Sequence, residues 1–173
     1  KTFLCFFGEE SERMELVHMD KEQPLIRISV RNLVEFVLRS GDIDNRAAGV
    51  DRDAMLLGGK IHRKLQRKMG AGYQAEVPLK HEVTCQGFTL SVEGRADGVI
   101  QQKEGVVIDE IKGIFRDINH LEEPVEVHLA QAKCYGYIYA YDHGLMEIGI
   151  QMTYCNLETE EIKRFQSVYT FET

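Results

Sequence analysis

Two strand-type segments carry ionisable groups where an interior strand normally carries none. Gly94-Arg95-Ala96-Asp97-Gly98 ends on an acid followed by glycine, and Val106-Val107-Ile108-Asp109-Glu110-Ile111-Lys112 sets two acids and a lysine into an apolar run. Residues 106–112 are short and rich in β-branched side chains, which favours a strand over a helix. Alternation then puts Glu110 and Lys112 on one side with Val106 and Ile108, and Asp109 and Ile111 on the other. Residues 88–100 read as the preceding strand, and the polar segment 101–105, ending in glycine, as the turn that joins the two antiparallel. Asp97 and Glu110 are then expected to face each other across neighbouring strands. Two carboxylates held that close suit a hard divalent cation with oxygen ligands, and a nearby ammonium can orient a water or offset charge on a phosphate. The plainer alternative is a solvated edge strand with a Glu–Lys pair.

Two helical segments keep company with this pair. Residues 53–69 have helical spacing, with Asp51 or Asp53 near the start and Gly70 just past the end. Ile61, Leu65 and Met69 make an apolar arc with His62 at its edge, while Lys60, Lys64, Arg67 and Lys68 gather on the other side. His62 therefore points toward the body of the domain, either as a packing residue or as a ligand. Residues 125–141, after the boundary Glu123-Pro124, form a second helix in which Gln131 and Tyr135 lie one turn apart on a face shared with His128 and Tyr139. Tyr137 and Ile138, off that face, are expected to pack on the sheet.

The ordered set G-x-x-x-H at 58–62, G-R-A-D ending at Asp97, E-I-K at 110–112 and Q-x-x-x-Y at 131–135 resembles the RecB-like branch of the PD-(D/E)XK nuclease superfamily. The resemblance spans roughly residues 50–155. It implies a restriction-endonuclease-like αβββαβ core of α/β (α+β) class, with a central mixed sheet flanked by helices. It also implies Asp97 and Glu110 as metal-binding carboxylates, the Ile111 carbonyl and His62 as further ligands, and Mg2+ or Mn2+ as the ion. Lys112 would position the attacking water, and Gln131 and Tyr135 would line the site toward Lys112 or a substrate phosphate. Ala96 stands where the superfamily name has proline, a position that supplies no ligand. The activity implied is a metal-dependent deoxyribonuclease acting on single-stranded or unwound DNA in repair or recombination. The alternative is an inactive nuclease-fold module that binds DNA or a partner protein.

Composition bounds the context. The 173 residues are 43% hydrophobic, enough for one substantial core, and no segment is long enough to span a membrane, so a cytoplasmic protein is expected. Cys5, Cys85, Cys134 and Cys155 are scattered without a C-x-x-C pair, so no iron–sulfur cluster is expected, and Cys134 reads as a small buried thiol. The net charge of −7 is unusual for a self-sufficient DNA binder and suits a domain whose strand is delivered by another domain or subunit. The run Ile28-Ser29-Val30-Arg31-Asn32-Leu33-Val34-Glu35-Phe36 resembles the start of nuclease domains attached to bacterial DinG/XPD-like DNA helicases, which implies a helicase partner. A chain beginning at Lys1 fits a piece of a longer polypeptide.

Residues 1–24 read as an N-terminal extension, with short strands at 2–7 and 15–19, and 25–173 as a single nuclease-like domain. Ser29 is the expected N-cap of a helix through Arg39 that buries Val30, Leu33, Val34 and Val37, with Ser40-Gly41 ending it. Strands are expected at 73–81 and 83–100, joined near 85–87, and a final hairpin from 145–154 and 162–171. Glu76 reads as a solvent-facing strand acid near the site.

Overall fold

The computed structural model describes residues 23–38 and 52–170, the side chains of 52–55 excepted. The expected strands at 2–7 and 15–19, Cys5, the Ser40-Gly41 stop and Asp51 lie outside the described residues, as does the side chain of Asp53. In chain order the elements are β1 (Leu25–Ser29), α1 (Val30–Val37), α2 (Arg52–Lys68), β2 (Tyr73–Cys85), β3 (Phe88–Gln102), β4 (Gly105–Ile114), α3 (Glu126–His143), β5 (Glu147–Asn156) and β6 (Ile162–Thr170). They build a mixed six-stranded sheet flanked by helices, as the sequence led one to expect. β2, β3 and β4 run antiparallel in succession, β4 and β5 are parallel, and β6 returns antiparallel to β5.

One strand has three partners. β2 pairs with nearly the whole of β3, from Phe88 to Ile100, and so occupies one of its edges. The other edge must serve both β1, which runs parallel along Thr89 to Glu93, and β4, which runs antiparallel along Gly98 to Gln102. The sheet therefore forks, and residues 94–97 of β3 have no strand beside them on that edge. The Gly94-Arg95-Ala96-Asp97 motif fills the fork.

Parity along β4 and β5 sorts the two faces. Ile108, Ile150, Met152 and Tyr154 join the main core with Ala132, Tyr135, Ile138 and Tyr139 of α3 and Val30 and Val34 of α1. Ile111, Cys155 and Leu157 form a smaller cluster with Ile61 and Leu65 of α2. Thus α3 and α1 cover a front face and α2 a rear face. Ile61 and Leu65 of the expected arc are buried, whereas Met69, just past the end of α2, is half-buried; Lys60, Lys64, Arg67 and Lys68 are exposed, Lys64 pairing with Glu160. α3 runs to His143, two residues past the expected end, and stops where Gly144 takes a left-handed conformation (φ +63°). Cys134 is buried within it.

Residues Leu25–Ser29, for which no element was expected, form a strand whose side chains are mostly exposed and whose alternation is therefore weak. Two expectations need correction. Val37 is exposed, because it is the final residue of an 8-residue helix that turns Val30 and Val34 onto the core. β2 continues unbroken through Glu82 to Cys85.

β2 also reverses the face it presents. Val77 and Leu79 join the front core, whereas Tyr73, of the same parity, lies over Gly98 and hydrogen-bonds Asp109 on the rear. Between them Glu76 is left-handed, at φ +56°, a conformation uncommon outside glycine. It is held by Gln66 Nε2 at 2.9 Å and by Arg95 Nε at 2.7 Å. Glu76 is exposed, as expected, but it is bound on both sides rather than loosely solvated.

Ser29 is the N-cap of α1, its Oγ accepting from the Asn32 amide at 3.1 Å. Ser29→Ala is expected to lower unfolding stability by about 1 kcal/mol in urea titration, while Ser29→Asp retains it.

Candidate active site

The site is assembled in the fork of β3. Beyond the Gly98–Asp109 pair the two strands part, and the backbone amide of Ile111 is met by a side chain instead of a ladder carbonyl: it donates to Asp97 Oδ2 at 2.7 Å. Extending the β3–β4 register by one residue sets Asp97 opposite Glu110, the arrangement expected from alternation. His62, carried by the rear helix, reaches the same acid through the open segment, its Nδ1 standing 3.4 Å from Asp97 Oδ1. Asp97 is thus held at both carboxylate oxygens.

On the front face Lys112 Nζ lies 2.9 Å from Glu110 Oε1 and donates to Gln131 Oε1 at 3.1 Å. Gln131 Nε2 in turn donates to the Tyr135 hydroxyl at 3.4 Å, so the i, i+4 pair of α3 continues the chain begun by the lysine. Gly94 gives this tyrosine its room, since a Cβ there would come within 2.8 Å of the ring. His128 and Tyr139, expected nearby, turn to other partners: His128 Nδ1 to the Tyr154 hydroxyl at 3.2 Å and Tyr139 to Gln101 at 3.1 Å. Within this ion pair Lys112 is the accessible partner, with 22% of its side chain exposed against 3% for Glu110.

Asp109 faces the rear, as alternation requires. It is buried, accepts from Thr153 Oγ1 at 2.6 Å and Gln151 Nε2 at 2.9 Å on one oxygen, and from the Tyr73 hydroxyl at 3.2 Å on the other. Tyr73 and Gln66 were not among the expected site residues. Both also touch the Asp97 carbonyl, at 3.3 and 3.0 Å. Gln66 could have been found, since it lies four residues after His62 on the same helix face.

The electrostatics are those of a cluster short of counterions. Burial, and then the nearby Asp97 charge, push the Glu110 carboxyl up to about 7 in spite of Lys112 and His62. Burial alone would lower His62, but its hydrogen bond to Asp97 and the charges of Asp97 and Glu110 outweigh it and hold the imidazole above its ordinary value. Glu110 Oε2 is buried without a hydrogen-bond partner. An orphaned carboxylate oxygen beside a second acid and an imidazole is the donor set a divalent cation would take. Among the described residues no three His, Cys, Asp or Glu side chains are already gathered as a cage. A cation held by His62, Asp97 and Glu110 would meet Glu110 on its free oxygen, opposite the one engaged by Lys112. The contact shown for Ile111 is through its nitrogen.

Glu110 and His62 bind protons more tightly in the folded chain than in the unfolded one, as does Asp109, whose carboxyl burial also raises. The contribution of Glu110 to stability in chelator is therefore expected to be full at low pH and to be lost as pH rises from about 4.5 to about 7, and that of His62 to be lost above its ordinary value of 6.5. Glu110→Gln should flatten the first part of this slope in denaturant titrations at successive pH values. An unchanged slope would mean that Glu110 is not the group responsible.

No family model matches the sequence, and no curated protein matches it. The structure is similar to the crystal structure of SSO0001, with a TM-score of 0.59 and 21% sequence identity over 90% of this chain and 72% of that one. At that identity the likeness is one of fold: a mixed six-stranded sheet flanked by helices.

Proposed function

We propose that this chain is a PD-(D/E)XK nuclease domain of the RecB-like type that hydrolyses phosphodiester bonds in single-stranded or unwound DNA. The observation that carries this reading is the fork of β3, where His62, Asp97, Glu110 and Lys112 converge and one oxygen of the buried Glu110 is left unpartnered. His62, Asp97 and Glu110 would hold Mg2+ or Mn2+, with the Ile111 carbonyl as a further ligand. A bound cation of this kind supplies Lewis acidity toward the scissile phosphate and lowers the pKa of a coordinated water.

The chain's own groups divide the remaining work. Lys112, fixed between Glu110 Oε1 and Gln131 Oε1, points an N–H at a water or at a non-bridging phosphate oxygen. Gln131 and Tyr135 keep that ammonium in place and set its direction. Burial around Glu110 thins the water about the site and strengthens each of these interactions. The acidic balance of the chain favours delivery of the strand by a helicase domain or subunit, which would supply most of the phosphate contacts.

A second reading, a nuclease fold that binds DNA or a partner without cutting it, draws on the closed Lys112–Glu110 ion pair, which already occupies one of the carboxylate oxygens. Labelled single- and double-stranded DNA incubated with Mn2+, Mg2+ or chelator separates the two. Metal-dependent cleavage is expected, lost in Asp97→Asn and Glu110→Gln and much less affected in Asp109→Asn. His62→Ala should weaken Mn2+ binding in a calorimetric titration, and Lys112→Ala should stop cleavage while Mn2+ still binds. Retained Mn2+ and DNA binding without cleavage in the unaltered chain would favour the second reading.

Gln131→Ala and Tyr135→Phe are expected to give graded losses, because these groups orient rather than react. Their effects should be non-additive in a double-mutant cycle by about 0.5 kcal/mol or more, since they share one hydrogen-bonded chain. Additive losses would mean that the helix only packs on the sheet.

A further inference from the structure

Asp97 is gripped on its carboxylate by His62 and Ile111, but the backbone that carries it is gripped from elsewhere. Its carbonyl oxygen receives two side-chain donors, Gln66 Nε2 at 3.0 Å and the Tyr73 hydroxyl at 3.3 Å. This is the stretch of β3 that has lost its partner on one edge and faces the left-handed Glu76 on the other, where the β2–β3 pairing skips from Ala75–Gly98 to Val77–Ala96. A backbone without regular ladder bonds is free to shift unless side chains replace them.

Each of the two donors is itself anchored. Gln66 spends its second N–H on Glu76 Oε1 at 2.9 Å, so one amide ties α2, β2 and β3 together. Tyr73 crosses β3 over Gly98, where a Cβ would come within 2.0 Å of the ring, and its hydroxyl also meets Asp109 Oδ2 at 3.2 Å. Asp109 is fixed in turn by Thr153 and Gln151 of β5, and Gln151 Oε1 accepts from Gln166 of β6 at 2.7 Å. The single Tyr73 O–H stands between the Asp97 carbonyl and Asp109 Oδ2 and is divided between these two acceptors.

We propose that Gln66 and Tyr73 are positioning residues that set Asp97 through its backbone carbonyl, with the buried Asp109–Thr153–Gln151 network on the rear of the sheet as the anchor of Tyr73. The proposal deepens the reading of the fork as a nuclease site. It concerns only where Asp97 stands, so it can be decided in the metal-free protein. The reporter is the Ile111 amide, which donates to Asp97 Oδ2, with the Ile108 amide of the same strand as reference.

The variants are Tyr73→Phe, which keeps the ring over Gly98, and Gln66→Met, which keeps the length of the side chain. Hydrogen exchange measured by NMR on the apo protein is expected to quicken at Ile111 by about tenfold relative to Ile108, a local opening rather than a global one. Cleavage of single-stranded DNA with Mn2+ should show kcat reduced by about tenfold with KM for DNA little changed, as misplacement of a catalytic group predicts. Unchanged exchange at Ile111, or equal quickening at Ile111 and Ile108, would overturn the positioning role and leave Tyr73 and Gln66 as ordinary stabilising contacts. If the unaltered chain cleaves no DNA, the nuclease reading fails by itself, and the exchange ratio still decides this proposal.

Discussion

The arrangement depends on one unmet pairing. β3 offers a long edge, and β1 and β4 share it without covering residues 94–97. Backbone groups left without a ladder partner must be satisfied in another way, and here side chains do it. Asp97 takes the Ile111 amide with its carboxylate while its own carbonyl takes Gln66 and Tyr73. The same opening admits His62 from the rear helix. A continuous sheet would have had no room for that meeting.

Burial makes the opening chemically useful. Glu110 is turned into the front core beside Lys112, with one oxygen paired and the other bare. A carboxylate in that situation is poorly stabilised by the protein alone, which is why its proton is held so firmly, and a cation is the partner that relieves it most. Asp109, its neighbour in sequence, is buried to the same degree but receives three donors. Two adjacent acids are thus held differently, Asp109 by three donors of the fold and Glu110 by Lys112 alone, with one oxygen left bare.

Much of this was legible in the chain. Period-two alternation assigned Glu110 and Lys112 to one face and Asp109 to the other, because β4 is a central strand with both faces packed and its register has no freedom. Helical spacing placed His62 at the margin of the Ile61 and Leu65 arc and Gln131 one turn from Tyr135, since those relations are local. What could not be read was non-local or against type. β1 is five residues with little burial, so it carries almost no pattern. The reversal at Glu76 uses a residue that gives no turn signal. The role of Tyr73 depends on a crossing over Gly98 that only the folded sheet defines.

The anchoring of β4 has a bearing on how the hairpin can vary. The strand is fixed along β5 from Val107 to Ile114 and by the bonds from Gln151 and Thr153 to Asp109. Its alignment is therefore set from the far side, not by the short turn at Lys103 and Glu104 that joins it to β3. Residues added to that turn would bulge into solvent without sliding Glu110 past Asp97, and each doubling of a flexible loop costs only about 0.6 kcal/mol of closure entropy. The loop is thus a place where insertions can accumulate, or another module can be spliced in, without disturbing the acids on either side of it.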